Sequence, residues 1–211
     1  DIEARVENSD VSGTQRADID VCLKAVAWAL RHKEFSKKVP LSHAEKSLKL
    51  AADRLDLAVS GNANWSTQPG KKVVLGYRSR VARSVQPYAV TLPAEFKTQG
   101  SKRWPLYVVL HGRGGQNEVR FIANHEGKSA PDDQGWIQVD IFGRIDNAYR
   151  WAGETDVFEA IADATRRYKI DEQRVSLWGF SMGGAGAWHL GLQHPSRWAS
   201  VGAGAGFVDF Y

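Results

Sequence analysis

The sequence Gly-Phe-Ser-Met-Gly-Gly at residues 179–184 constrains the fold of this chain more than any other segment. Residues 174–178 before it have the apolar pattern of a buried strand, and residues 185–190 after it are compatible with a helix. A serine between glycines at such a junction indicates a tight turn that has no room for larger side chains. The segment therefore predicts a strand–turn–helix unit, as found in α/β sheets.

The same segment predicts a reactive serine. In a turn of this kind the backbone of Ser181 is strained and its hydroxyl projects from the end of the sheet. Gly179 and Gly183 would avoid a collision across the turn. The N-terminus of the following helix would help to stabilise a negative oxygen beside the serine. We predict that Ser181 is a nucleophile; the less favoured alternative is a glycine-rich helix start with an inactive serine.

A second glycine-rich segment, His-Gly-Arg-Gly-Gly at residues 111–115, follows an apolar run at residues 104–110. We expect that run to be a strand buried on both faces. The loop after it can bring a backbone N–H to a reacting carbonyl, where it acts together with the N–H of the residue after the nucleophile. The predicted donors are Met182 and Arg113, with Gly114 as the second choice. The alternative is an ordinary loop.

The spacing of apolar residues changes near residue 70. Residues 18–60 repeat apolar side chains every three or four positions and predict a helical hairpin, whose second helix Ser42 and Glu45 would cap. From residue 72 onward strand-like and helical runs alternate. We expect a lead-in and helical hairpin at residues 1–70 and an α/β core at residues 71–211.

The α/β core is expected to hold a mostly parallel sheet of about six strands. Pro87 lies inside the second run, so that strand is expected at a sheet edge or with a bulge. The expected strands are residues 72–79, 85–92, 104–110, 136–141, 174–180 and 199–204, with helices at 155–168 and 183–192.

Composition excludes several classes of function. The chain has 28 Lys and Arg against 24 Asp and Glu and no basic cluster, so we expect no nucleic-acid partner. No apolar run approaches the roughly 18 residues of a membrane span. The single cysteine, Cys22, cannot form an internal disulfide, and no residue spacing predicts a metal or a cofactor. A start at Asp1 without an apolar leader fits a mature exported protein among other origins, and export is the favoured expectation.

Four motifs, at residues 110–115, 170–175, 179–184 and 194–199, make the chain resemble α/β-hydrolase serine enzymes. The resemblance covers essentially the whole chain and is greatest to bacterial hydrolases of the prolyl-oligopeptidase-family or esterase-like type. It implies an α/β-hydrolase fold with Ser181 as nucleophile.

The resemblance also implies roles for two further parts of the chain. His111 and Gly112 would support the oxyanion loop, the histidine by packing beneath it. A loop after the fourth strand would lie near the substrate, although each of its larger side chains is more readily placed on the surface. These side chains are Arg144, Tyr149, Arg150 and Trp151.

The resemblance implies an acid and a base histidine that follow the nucleophile along the chain. Ser181 lies 30 residues before Tyr211, and Asp209, where an acid-bearing segment begins, follows the sixth strand instead of the next one. We therefore expect the remaining hydrolase segment in a continuation of the chain or in a second chain. His125 is expected in a solvated loop. Neither it nor the other histidines are good candidates for the base: His32, His43, His111, His189 and His194.

The expected function is hydrolysis of a small or carbohydrate-linked carboxylic ester through an acyl-enzyme on Ser181. A serine peptidase of the prolyl-oligopeptidase type is less favoured, because the roughly 100 residues before the buried strand are too few for a propeller domain of four-stranded blades. The second alternative is a hydrolase-like binding subunit without catalysis.

Overall fold

A computed structural model describes residues 2–208 of the chain. Its strands form one sheet in the order β1-β2-β4-β3-β5-β6. In this part of the chain the strands are β1 (Lys72–Arg78), β2 (Val85–Thr91), β3 (Trp104–Leu110), β4 (Ile137–Ile141), β5 (Ile170–Phe180) and β6 (Ser200–Gly204). The helices are α1 (Ile2–Glu7), α2 (Gly13–Arg31), α3 (Leu41–Val59), α4 (Glu118–His125), α5 (Ala152–Arg167) and α6 (Met182–Gln193).

The direction of the strands changes once across the sheet. Strand β2 is antiparallel to both β1 and β4, whereas β4, β3, β5 and β6 run parallel to one another. The carboxyl ends of the four parallel strands therefore meet at one edge, where ligands bind in sheets of this type. The predicted fold class, a mostly parallel α/β sheet with an N-terminal helical hairpin, is confirmed.

The helical hairpin α2–α3 packs directly on the sheet. Its apolar side chains share one buried cluster with residues of β1, β2 and α4. The contact is very close at Gly76, where an added Cβ would lie 2.1 Å from the carbonyl oxygen of Ala17. Cys22 is fully buried in the same cluster, and burial raises the pKa of its thiol to about 12. The hairpin and the sheet thus share one hydrophobic core.

The outer edge of β1, which we call the closed edge, is covered by side chains at Gly76. The Gly76 N–H donates to Asp18 (2.8 Å) and its carbonyl accepts from Arg167 (2.9 Å). The two side chains also form a bidentate ion pair, with both distances 2.9 Å. They satisfy the backbone groups that a neighbouring strand would otherwise bind.

The closed edge continues in the same way along β1. The Val74 N–H donates to Glu126 (2.7 Å) and its carbonyl accepts from Arg54 (2.7 Å), which is 1% exposed. Two residues earlier, Lys72 exchanges backbone hydrogen bonds with Gly127 and Lys128. Alternate residues of β1 are therefore satisfied on the side away from β2.

The outer edge of β6, which we call the open edge, differs. Among residues 2–208 no strand pairs with β6 on this side. Trp178 and Phe180 of β5 lie over Gly202 and Gly204 of β6 and are 37% and 55% exposed. Val201 of β6 is 41% exposed. An exposed apolar strand edge of this kind is a surface on which a further strand can add.

The expectation that Pro87 marks an edge or bulged strand is wrong, because β2 lies between β1 and β4 without a bulge in its pairing with β1. Pro87 pairs with Gly76, whose backbone groups point away from β2, so the proline faces the β4 side. The pairing of β2 with β4 begins only at Tyr88 and Ile141. The missing N–H therefore falls where β4 has already ended.

Other sequence predictions need smaller corrections. Helix α4 was not predicted from the sequence, and part of the expected lead-in forms α1. Helix α3 begins at Leu41 with Pro40 as its N-cap, so the predicted cap by Ser42 does not form. Strand β3 alternates between buried and half-buried residues and is not fully buried on both faces. None of the described helices is both long and apolar enough to span a membrane.

Candidate active site

Ser181 lies at the turn between β5 and α6, at the carboxyl end of the parallel strands. Its φ of 55° and ψ of −118° are a strained backbone conformation for a residue with a side chain. The Ser181 N–H donates to the Gly204 carbonyl (2.9 Å), and the Ser181 carbonyl accepts from the Ala185 N–H (3.0 Å). Both neighbours of the turn, β6 and the first turn of α6, thus hold the strained conformation in place.

Steric contacts explain the glycines on both sides of this serine. A Cβ on Gly179 would lie 2.1 Å from the Gly183 carbonyl oxygen. A Cβ on Gly183 would lie 2.1 Å from the carbonyl oxygen of Leu110, the last residue of β3. These distances are far below van der Waals contact, so the turn closes only with glycine at both positions.

The loop after β3 lies against the serine. A Cβ on Gly112 would be 3.6 Å from the Ser181 Cβ and 3.3 Å from the Phe180 carbonyl oxygen. Further along this loop, the Gly114 carbonyl accepts a hydrogen bond from Arg120 in α4, and the Gly115 N–H donates to Asp146 (3.3 Å). The structure therefore brings the two glycine-rich segments of the sequence together.

The His111 side chain connects this loop to the loop that follows β4. Its Nδ1 lies 2.8 Å from the Gly112 carbonyl oxygen and its Nε2 lies 2.8 Å from the Phe142 carbonyl oxygen. Because both ring nitrogens face carbonyl oxygens, neither is available to take a proton from Ser181. The buried Tyr149 packs its ring edge-on against His111 and donates its hydroxyl to the His111 carbonyl (3.2 Å). Burial raises the pKa of Tyr149 well above its usual value.

Two other histidines share one carboxylate. The Nε2 atoms of His189 and His194 each lie 2.8 Å from a different oxygen of Glu154, in the first turn of α5. Burial raises the pKa of Glu154, but the two histidine contacts outweigh burial and hold this pKa below its usual value. The histidines thus link α6 to α5.

His125 does not lie in a solvated loop, as the sequence suggested. It is the last residue of α4, its Nδ1 lies 2.8 Å from the Phe121 carbonyl oxygen, and burial lowers its pKa. In the part of the chain that the structure describes, no histidine forms a hydrogen bond with the Ser181 hydroxyl. Asp209 lies outside the described residues.

The loop between β4 and α5 carries unusual strain. Arg144, Ala148, Tyr149 and Trp151 all have positive φ values, between 51° and 69°. Arg144 is held by an ion pair with the buried Asp156 (2.8 Å). Trp151 is 78% exposed and has nearly the same backbone angles as Ser181, φ 51° and ψ −116°. Sequence reasoning missed the burial of Tyr149, which connects this loop to the site.

The arrangement around Ser181 has features that an acyl-transfer site requires. Ser181 places a hydroxyl group at the start of a helix. The Met182 N–H is the first of α6 and has no acceptor within that helix, and the helix N-terminus favours negative charge. The Gly112 loop lies on the adjacent side. Among residues 2–208, no histidine is hydrogen-bonded to the Ser181 hydroxyl.

Sequence comparison finds relatives with a matching description. A family model described as "Putative esterase" matches residues 147–211, which include Ser181. The protein described as "Putative esterase NocK" from Nocardia uniformis subsp. tsuyamanensis is 29% identical over 154 residues, 67% of this chain and 42% of that protein. The chain is similar to proteins described as esterases. It spans less than half the length of the NocK protein.

Solved structures of similar architecture include two hydrolases. A thermostable esterase has a TM-score of 0.47 and 22% identity, covering 62% of this esterase-like chain and 40% of its own. FphF, a fluorophosphonate-binding serine hydrolase from Staphylococcus aureus, has a TM-score of 0.49 and 17% identity, covering 63% and 56% respectively.

Proposed function

We propose that the chain carries the nucleophile of a serine hydrolase that cleaves a carboxylic ester through an acyl-enzyme on Ser181. The observation that carries this proposal is the strained turn of Ser181 between two sterically required glycines. Strain of this kind is retained mainly where a site uses it. The matches to proteins described as esterases support the same reaction class.

In the proposed reaction the Ser181 Oγ attacks the ester carbonyl carbon and its proton passes to a base. The carbonyl oxygen becomes an oxyanion that accepts hydrogen bonds from the backbone N–H of Met182 and of Arg113, with Gly114 as the alternative to Arg113. Collapse of the tetrahedral intermediate breaks the bond to the alcohol oxygen, which takes up the proton as it leaves. Water then attacks the acyl-enzyme in the same way and releases the acid.

The base and the acid that orients it are proposed to come from a further hydrolase segment, in the same polypeptide or in a second chain. A serine hydroxyl is a weak nucleophile at neutral pH without a base. Two observations support this proposal: the histidines at the described site are bound to other groups, and the open edge at β6 adjoins the Ser181 turn through the Gly204 carbonyl.

The proposed substrate is a small or carbohydrate-linked carboxylic ester. A peptide substrate is the second candidate and rests on the resemblance to the prolyl-oligopeptidase family. A panel of p-nitrophenyl esters, acetylated and feruloylated sugars and prolyl peptides separates the two. Faster turnover of the peptides than of every ester would exclude the ester proposal.

Export from the cell fits esters of extracellular polysaccharides, and cell fractionation tests it.

Labelling with a fluorophosphonate probe tests the nucleophile. In the longest natural form of the protein, Ser181→Ala is expected to abolish labelling and to lower ester turnover at least about a thousandfold. Ser176→Ala, five residues earlier on β5, is the matched control and should keep both. Equal labelling of Ser181→Ala and the natural protein would show that the nucleophile is elsewhere. Absence of labelling in the natural protein would favour the non-catalytic binding subunit.

A further inference from the structure

A cavity of about 310 Å³ lies between the helical hairpin and the carboxyl end of the sheet. It is separate from the turn that holds Ser181. Helix α2, the start of α4 and the loop after β4 form its walls. The residues that line these walls include Lys24, Trp28, Gln116, Asn117, Glu118 and Phe142. The hairpin, which contributes nothing to the Ser181 turn, thus builds one side of a second concave site.

The cavity is connected to the proposed nucleophile by a short stretch of chain. Gly112 lies against Ser181, and Gln116 in the cavity wall is four residues further on. Four residues span at most about 14 Å. On the other side, the Phe142 carbonyl in the wall accepts from His111 next to Gly112. One ligand of a few linked rings can therefore reach both places.

Both cations in the cavity wall already have a carboxylate partner. Lys24 pairs with Glu118 (2.6 Å), and Arg144 pairs with Asp156 (2.8 Å). The Asn117 amide donates to Glu34 (3.2 Å). Neither of the two cations that line the cavity is free to bind a phosphate or a carboxylate, and the remaining carboxylate, Glu34, has an amide partner. A neutral ligand fits this wall better than a charged one.

Two acceptor atoms in the wall lack a donor. The Oε2 atom of Glu118 and the Oε1 atom of Gln116 are buried without a hydrogen-bond partner among the described residues. Glu118 is largely buried, and burial raises the pKa of its carboxyl. A buried acceptor without a partner costs free energy, so a ligand that supplies hydroxyl donors gains affinity here.

Trp28 adds an apolar surface at the same cavity. Its indole is 47% exposed although it is held in place, with the His32 ring centroid 4.9 Å away and the Arg31 guanidinium 5.7 Å from its centroid. A fixed aromatic ring beside polar groups suits a ligand that has both an apolar face and hydroxyl groups. A neutral sugar ring has this combination.

We propose that this cavity binds a neutral sugar that belongs to the alcohol part of the substrate. The Trp28 ring would stack on the sugar, and the side-chain oxygens of Gln116 and Glu118 would accept hydrogen bonds from its hydroxyl groups. The proposal rests on the ester hydrolysis proposed for Ser181. It assigns the helical hairpin a role in substrate selection.

Binding of oligosaccharides tests the cavity without a need for catalysis. Calorimetric titration of the Ser181→Ala protein with xylotriose, cellotriose and maltotriose is expected to detect binding of at least one of them. Trigalacturonic acid, which is charged, is expected to bind more weakly. Failure of all three neutral sugars, or tighter binding of the charged one, would overturn the proposal.

Two tryptophan variants locate the binding site. Trp28→Ala is expected to weaken binding about five- to tenfold, because a stacked aromatic contact is lost. Trp136→Ala is the matched control: this tryptophan is 36% exposed just before β4, at the opposite end of that strand. Equal affinity of Trp28→Ala and Trp136→Ala would overturn the assignment to this cavity.

The experiments distinguish failure of the hydrolase proposal from failure of the sugar-site proposal. Probe labelling of Ser181 without sugar binding leaves the hydrolase proposal intact and removes the sugar site. Sugar binding that depends on Trp28, without labelling of Ser181, leaves a carbohydrate-binding site and removes the hydrolase proposal.

Discussion

The two outer edges of the sheet differ in how their backbone groups are covered. At the closed edge, the backbone of β1 is bound by charged side chains and loop backbone that come from α2, α3, α5 and the segment after α4. At the open edge, β6 has no such cover among residues 2–208, and aromatic and aliphatic side chains are exposed beside it. The open edge is also the one that adjoins the Ser181 turn.

This difference indicates which edge of the sheet is protected against pairing with a further strand. A strand edge with satisfied donors and acceptors offers no template for pairing, whereas an apolar edge with free backbone groups does. The closed edge therefore depends on buried ion pairs, and damage to them should lower stability. The open edge should tolerate polar substitution and govern association with other segments.

The largest expected effect comes from breaking the closed edge at Arg167. Arg167→Met leaves the buried carboxylate of Asp18 without its cation and leaves Asp163 with only the more exposed Arg166, so the free energy of unfolding should fall by about 3–5 kcal/mol. Urea denaturation measures the loss. Labelling of the buried Cys22 thiol should also become faster, because the hairpin opens more often.

The neighbouring Arg166 is the control for this prediction. It also pairs with Asp163 (2.7 Å), but its side chain is 56% exposed. Arg166→Met should therefore cost at most about 1 kcal/mol. Equal losses for the two variants would mean that the buried pair with Asp18 is not what stabilises the closed edge.

A smaller effect is expected where the hairpin touches the sheet very closely. Gly76→Ala places a Cβ 2.1 Å from the Ala17 carbonyl oxygen, so α2 must move away from β1 at a cost of about 1–3 kcal/mol. Gly135→Ala, with nothing within 4 Å of the added Cβ, should be close to neutral. Thermal unfolding of both variants measures the difference, and unchanged stability of Gly76→Ala would contradict the close packing.

The smallest effect on stability is expected at the open edge. Val201→Lys should change the free energy of unfolding by about 0.5 kcal/mol or less, because this valine is already 41% exposed. In the 211-residue chain it should nevertheless reduce self-association measured by light scattering, since a lysine on an edge strand opposes strand pairing. Val81→Lys, 76% exposed in the β1–β2 turn, is the control. Association that responds equally to both would argue against pairing at β6.

Local steric rules account for what the sequence predicted well. The turn at Ser181 follows from glycines two residues before and two residues after it, and the boundaries of α6 lie within one residue of the prediction. The loop with Gly112 was predicted beside it because a glycine-rich loop after a buried strand can supply a second N–H donor next to the nucleophile. Both features depend on contacts between short segments, and the fold class determines the order of these segments along the chain.

Contacts between distant segments account for what was missed. Pro87 was placed at an edge because the end of β4 cannot be seen in the sequence of β2. Asp18 and Arg167 are charged residues on two helices far apart in the sequence, and only the docking of both helices on β1 buries them. Tyr149 appeared to be a surface loop residue, because nothing near it in the sequence shows that it packs against His111.

The ion pair of the closed edge also affects when the N-terminal helices can complete their folding during synthesis. Asp18 and Arg167 are 149 residues apart. At synthesis rates of about 5–20 residues per second, Asp18 leaves the ribosome roughly 7–30 s before Arg167 does. The hairpin can form early from local contacts, but it cannot complete its attachment until α5 has been made. The newly made N-terminal helices therefore pass through an interval in which their sheet-facing side is uncovered, and this interval is where a chaperone would act on this chain.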